Sequence, residues 1–386
     1  MLKTGVIMGS SDFVRTFRTP GGERRSGSSF VIDSTLAVLI LVLCSFGLTV
    51  LYSASGESLF YVKRQLIFMI AGFFLMMVVA QLSLRTLQRW AFVIYALGLL
   101  SLIAVLLVGV GAKGAQRWLD FGITRLQPSE IMKVCLPVTI AAYLGARLIP
   151  PSFKHVFWSL VIILVPTVLV MRQPDLGTAI LVFLSGFLVL FLAGLRKRYI
   201  FGSLAIAVGA IPLMWLYVLR DYQKQRILTM FSPEADSLGA GWNIVQSKTA
   251  IGSGGLQGKG WTEGTQSQLN FLPESQTDFI IAVLAEEFGL IGVLGLCTLY
   301  TCIIIRCLVI GISAKTQFGR LLSGGLGLIF SVYVFVNMGM VSGILPVVGA
   351  PLPMVSYGGT AILTLFIGFG ILMAISAEPR LMRTQF

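Results

Sequence analysis

Apolar runs of ~17–25 residues recur along almost the whole chain, the length a helix needs to cross a ~30 Å hydrocarbon core. No other feature constrains the fold as strongly. In lipid, every backbone N–H and C=O must be satisfied within the spanning segment or a closed barrel, so runs of this length are helices. They stand near 31–51, 65–82, 90–110, 128–148, 156–171, 177–195, 200–219, 278–305, 321–342 and 358–375. Ten spans put both termini on the same side. Composition agrees: 56% of the chain is hydrophobic and 12% charged, where soluble domains carry about 25% charged residues. The sequence predicts an all-α, polytopic integral membrane protein. Its membrane domain runs over 31–378, between short tails at 1–30 and 379–386, with a long polar loop at 220–277 joining helices 7 and 8.

The net charge of +13 is a matter of topology, not of nucleic-acid binding. With the N-terminus inside, the inner segments hold seventeen lysines and arginines and the short outer loops six. The long loop's five cations do not count, because long loops translocate regardless of charge. The bias predicts cytoplasmic termini and an outward-facing 220–277 loop. The five cysteines form no CxxC pair and lie in or beside apolar runs, so neither zinc nor disulfides are indicated. His155 is the only histidine, which excludes a His-based metal site or triad.

The polar residues gather in a few places. The stretch 237–287 combines close glycines, lone cations, amides and carboxylates, then runs into an apolar segment at Asp278. An acid at the mouth of a membrane helix is a candidate for chemistry; the plain alternative is a boundary or capping residue. The run 278–305 would be about 42 Å long at ~1.5 Å per residue, so this helix is expected to tilt or project outward. Glu286 and Glu287 lie about two turns deeper, and at least one should face protein. Glu130 and Lys133 share a helical face inside the fourth run, as a buried pair that either serves a site or fixes packing. Lys113, Arg117 and Arg125 lie in the loop before it, and Asp175 in a short turn broken by Pro174 and Gly177.

In the long loop, Trp242, Val245, Lys248 and Ile251 fall at helical spacing and suggest a short interfacial helix. The following GSGGLQGKGW is neither a P-loop nor a GxGxxG. Its amides and Lys259 could hold an anion, or it is a plain flexible loop. The stretch 343–360, with Pro346, Pro351 and Pro353, is apolar yet cannot be regular helix. It reads as a re-entrant or capping loop on the outer face.

Four stretches together resemble the SEDS family (shape, elongation, division and sporulation). They are QPSEIMK at 127–133, QPDLGT at 173–178, GSGGLQGKGWTEGTQSQLNFLPESQTDFIIAVLAEE at 252–287, and PLPMVSYGG at 351–359. The GTQSQLNFLPE wording is similar to the family's elongation member more than to its division member. Two positions depart: Gln276 stands where the family usually has His, and Thr360 where it often has Ser. The resemblance implies a peptidoglycan glycosyltransferase of the bacterial inner membrane. It would polymerise lipid II on the outer face, with a class B penicillin-binding protein as partner.

Such chemistry needs a base for the acceptor hydroxyl and positive charge for the departing diphosphate. Asp278 is the candidate base. The resemblance places Glu130, Lys133 and Asp175 in the same polar cavity, with Glu286 as a further member of the network. Arg117, Arg226 and Lys259 are candidate diphosphate contacts. A divalent cation (Mg or Mn) could share that task, although no ligand cluster marks one. Two other classes compete: a flippase for the same lipid, suited by broken loops and an intramembrane ion pair, and a scaffold that holds its partner. Against the flippase, no inverted repeat is visible and the polar residues gather at one face.

Overall fold

The computed structural model describes residues 32–378, except 113–114, 121, 123–124, 236–239, 269–271 and 273. The two predicted tails and Lys113 therefore lie outside the described residues. The main helices are α1 (Ser34–Ala54), α2 (Leu59–Ala80), α3 (Leu84–Val108), α4 (Pro128–Gly145), α5 (Phe153–Arg172), α6 (Leu176–Leu192) and α7 (Lys197–Leu213), which runs into a π-turn at Met214–Val218. The long loop carries α8 (Asp221–Phe231), α9 (Ala240–Gly254) and the single turn α10 (Thr265–Gln268). The chain then forms α11 (Ile280–Ser313), α12 (Gln317–Val341) and α13 (Gly359–Ser376).

A helix stands at each of the ten predicted positions. Eight of them are long and apolar enough to cross a membrane. The remaining two are α6, one residue short of that standard at 17 residues, and α4, whose apolar run is diluted by Glu130 and Lys133. The chain is a multi-pass membrane protein. Phe74, Leu107 and Ile312 stand more than two-thirds exposed, as lipid-facing residues do. Nearly every residue of α4 is buried, because α3, α5, α6, α12 and α13 all pack against it. That enclosure is what lets α4 carry charge: its two ionised side chains face protein instead of hydrocarbon.

Two features differ from the sequence-based expectation. The segment before α4 is not irregular but a small antiparallel sheet of β1 (Val110–Ala112), β2 (Ala115–Asp120) and β3 (Arg125–Leu126), in the order β1-β2-β3. Asp120 pairs with Arg125 across β2 and β3 and their side chains form an ion pair at 3.2 Å. The Gly122 amide and the Arg125 guanidinium hold the Asp120 carboxyl below its ordinary pKa. Hydrogen-bonded and oppositely charged neighbours favour the ionised form.

The second difference is in α11. Instead of one overlong tilted helix, it is two helices joined at Gly289, whose φ of 64° and ψ of −161° are not helical. Carbonyls and amides left without helical partners at the break are taken up by the glycine-rich loop. Lys259 N donates to Glu286 O at 3.0 Å and Gly260 N to Glu287 O at 3.1 Å. Leu290 N donates to Gly255 O at 3.0 Å and Ile291 N to Leu256 O at 3.2 Å. The loop is thus inserted into the break, where unpaired backbone groups would otherwise be costly. A Cβ on Gly258 would overlap the Glu287 carbonyl, so glycine is required for this approach. The length that predicted a tilt is absorbed by the kink.

Residues 342–358 are non-helical, as expected; 342–349 lie toward the surface, with Ile344 68% exposed, and 350–356 are largely buried. Leu352, Met354, Val355 and Ser356 are buried. Tyr300 Oη of α11 donates to Pro353 O at 2.7 Å. Irregular backbone is tolerated here because protein surrounds it.

Candidate active site

Five parts of the chain converge on a cavity of about 200 Å³. They are β2, the N-terminal ends of α4 and α6, and the two irregular segments that precede α11 and α13. Arg117, Glu130, Lys133, Asp175 and Asp278 all line it, with Trp118, Thr277 and Tyr357. A second cavity of about 650 Å³ shares the wall formed by Trp118, Thr277, Tyr357 and Gly358–Thr360, and adds Arg64 and Arg125.

Each charged residue is placed by its own element. Proline at the first position of α4 starts that helix, and Glu130 follows in the first turn. Lys133 Nζ reaches Glu130 Oε1 at 2.5 Å and lies 4.7 Å from the centre of the Tyr333 ring. Lys133 is 4% exposed and Glu130 7%, so the pair is desolvated and each charge depends on the other. Asp175 caps α6, its Oδ1 accepting from Thr178 N at 3.2 Å. Its Oδ2 meets Arg117 Nε at 3.2 Å. Arg117 also donates from Nη2 to Pro174 O at 3.2 Å, an oxygen shared with Tyr222 Oη of α8 at 2.6 Å. The β2 strand and the long loop therefore clasp the same short turn.

Asp278 lies in the turn before α11, which begins at Ile280. It is partly exposed, with its carboxylate beside Gly349: a Cβ on that glycine would lie 3.6 Å from Asp278 Oδ2.

The other candidates stand elsewhere. Arg226 donates from Nη1 to Val347 O at 3.1 Å and is not among the cavity residues. Lys259 and Glu286 pair with each other at 2.7 Å at the α11 break, where Glu286 Oε1 also accepts from Thr265 Oγ1 and Gln266 N. Glu287 accepts from Ser53 of α1. Both glutamates face protein, being 0% and 1% exposed. Glu286 thus belongs to a cluster separate from Glu130, Lys133 and Asp175, and Lys259 spends its charge within that cluster.

Sequence reasoning did not single out Gln65, Asn337 or Ser356. The first two are fully buried and the third 2% exposed, and all three hold backbone around the site. The available signal was an amide inside an apolar run, a position where polar groups need partners.

Residues 32–381 match the family described as the FtsW/RodA/SpoVE cell cycle proteins. The chain is 50% identical over 351 residues to the peptidoglycan glycosyltransferase MrdB of Escherichia coli K12, covering 91% of this chain and 95% of that one. It is 35% identical to the probable peptidoglycan glycosyltransferase FtsW of Trichlorobacter lovleyi, over 90% of this chain and 94% of that one. Among solved structures, it is similar to the rod shape determining protein RodA of Thermus thermophilus, with a TM-score of 0.67 and 28% identity, covering 89% and 96% of the two chains. It is also similar to a chain from work on a peptidoglycan synthase complex that coordinates polymerization and crosslinking, with a TM-score of 0.80 and 29% identity, covering 90% and 98%. With its whole membrane domain matched in sequence and fold, the chain belongs to the FtsW/RodA/SpoVE family.

Proposed function

We propose that this protein is a peptidoglycan glycosyltransferase that polymerises lipid II, with Asp278 as the general base. The observation that carries the reading is the meeting of Asp278 with Arg117 and Lys133 around one cavity. The relatives' names supply the reaction class. A carboxylate takes the proton from the acceptor sugar hydroxyl as its oxygen attacks the anomeric carbon of the donor. The bond from that carbon to the diphosphate oxygen breaks, and the lipid diphosphate leaves with the electron pair. Arg117 has five N–H donors and Lys133 three. The Pro174 carbonyl engages one of the former, Asp175 pairs with the guanidinium by charge alone, and Glu130 engages one of the latter. The remaining donors are available to the developing negative charge, and the partner carboxylates offset the cost of burying the two cations.

Among the described residues, no three His, Cys, Asp or Glu side chains group to hold a metal ion. Mg²⁺ and similar ions are commonly held by one or two carboxylates together with substrate phosphates, so a divalent cation (Mg or Mn) would enter with the lipid diphosphate. The cation bias supports cytoplasmic termini and a cavity on the outer face of the bacterial inner membrane. The likeness to a chain of a peptidoglycan synthase complex supports a class B penicillin-binding protein as partner. Purified protein incubated with lipid II, alone and with that partner, should yield glycan chains. Asp278→Asn should lower the rate by ~10²–10⁴-fold at equal folded amount. A drop of less than about threefold would remove the base assignment.

A further inference from the structure

Three consecutive carbonyls in the turn that carries Asp278 are each held by a different group. Tyr357 N donates to Gln276 O at 2.9 Å. Ser356 Oγ donates to Thr277 O at 2.5 Å. Asn337 Nδ2 donates to Asp278 O at 2.9 Å. The turn precedes α11, so no helical ladder fixes it. These bonds do that work from α12 and from the irregular segment before α13.

The holding groups are themselves held. The second N–H of the Asn337 amide donates to Ala350 O at 2.7 Å, next to Gly349, which lines the Asp278 carboxylate. Ser356 Oγ accepts from Leu352 N at 2.8 Å. Ser356 O accepts from Gln65 Nε2 at 2.9 Å, and Gln65 Oε1 accepts from Gly358 N at 3.3 Å. Asn337 is 0% exposed and is the one polar residue in the last turns of α12, from Val334 to Val341. An amide there is costly to bury, and its Oδ1 has no hydrogen-bond partner among the described residues, so packing alone does not account for it. Its two donors go to the two backbone oxygens that flank the cavity wall.

We propose that Asn337, assisted by Ser356, is a positioning residue for the reaction: it fixes where the Asp278 carboxylate stands against the acceptor hydroxyl. This rests on Asp278 being the base. Neither residue is among those lining the 200 Å³ cavity, so neither touches the reacting atoms. Loss of the clamp frees the turn, and a displacement of ~1 Å at a reacting group costs about 10²-fold in rate.

The test uses the full chain, with Asn337→Ala, Ser356→Ala and Asp278→Asn purified and matched for folded amount. Initial polymerisation rates are measured against lipid II concentration. For Asn337→Ala and Ser356→Ala, kcat should fall ~10–100-fold while KM stays within about threefold. Hydrogen exchange supplies a readout that a merely structural role would not give. Amides over 274–279 should exchange faster in both variants, with those of α1 and the middle of α12 unchanged. Ser356→Ala removes a single hydroxyl, and it carries the test if Asn337→Ala does not fold. A kcat within about threefold of wild type, or unchanged exchange over 274–279, overturns the proposal. Wild-type polymerisation by Asp278→Asn overturns the base assignment instead. Collapse in Asp278→Asn beside normal kcat in the other two overturns only the positioning role.

Discussion

Lys259 Nζ and Glu286 Oε1 meet at 2.7 Å, 27 residues apart in the chain. The pair ties the glycine-rich loop to the helix segment that begins just after Asp278. Glu286 is fully buried, while the Lys259 side chain is 28% exposed. Lys259→Met leaves that carboxylate with the Thr265 hydroxyl and the Gln266 amide only. Breaking a fully buried pair costs ~3–5 kcal/mol, and the exposed lysine end brings the expected loss down to about 1–3 kcal/mol. Thermal unfolding in detergent should show a lower midpoint. An unchanged midpoint would mean that the ion pair does not stabilise the join.

Gly289 is the residue least able to change within that join. A Cβ there would overlap the Gly258 amide, with the Leu256 carbonyl at 2.6 Å, and its φ of 64° lies in the left-handed region. Gly289→Ala therefore combines strain of ~1–3 kcal/mol with a clash against backbone that has nowhere to move. The variant should accumulate poorly and elute as aggregate on size exclusion. Wild-type yield and a sharp monodisperse peak would show that α11 can run straight through.

The contrast between these residues and Glu130–Lys133 shows what the sequence carries. A spacing of three within one helical run puts two side chains on one face, so the α4 pair is readable from local pattern alone. Helix positions are readable too, because apolar length decides them. The α11 break is not: Ala282, Ala285, Gly289 and Gly292 look like a stripe for close helix packing. Nothing in the stripe shows that Gly289 has a positive φ or that a loop 30 residues upstream fills the gap. Arg117 with Asp175, and Asn337 with the Asp278 carbonyl, are tertiary meetings 58 and 59 residues apart. Only the fold brings them together.

Asp175 has two tasks that two substitutions separate. Its Oδ1 caps α6 and its Oδ2 pairs with Arg117. Asn preserves a capping oxygen but not the charge, whereas Ala removes both. Asp175→Ala should be less stable than Asp175→Asn by ~1 kcal/mol, the usual worth of an N-cap. Both should polymerise lipid II more slowly, because Arg117 loses the partner that aims it into the cavity. Equal activity of Asp175→Asn and wild type would confine Asp175 to capping.

Glu130 and Lys133 allow stability and chemistry to be told apart. Lys133→Met strips a carboxylate that is 7% exposed of its only cation within 4 Å among the described residues. Such a loss costs ~3–5 kcal/mol when the remaining charge stays buried. Adding Glu130→Gln removes that charge, and neutral replacement of a whole buried pair is often near-neutral for stability. The double variant should therefore unfold at a higher temperature than Lys133→Met alone. Activity should not follow. If Lys133 supplies N–H donors to the leaving diphosphate, the double variant folds well and still polymerises slowly, with a loss of about 10²-fold or more. If the pair only fixes α4 against Tyr333 and its neighbours, activity returns together with stability. Unfolding midpoints and steady-state polymerisation of wild type, both single variants and the double variant decide between these outcomes. Recovery of both properties in the double variant would leave Asp278 and Arg117 in the site and take Lys133 out of it.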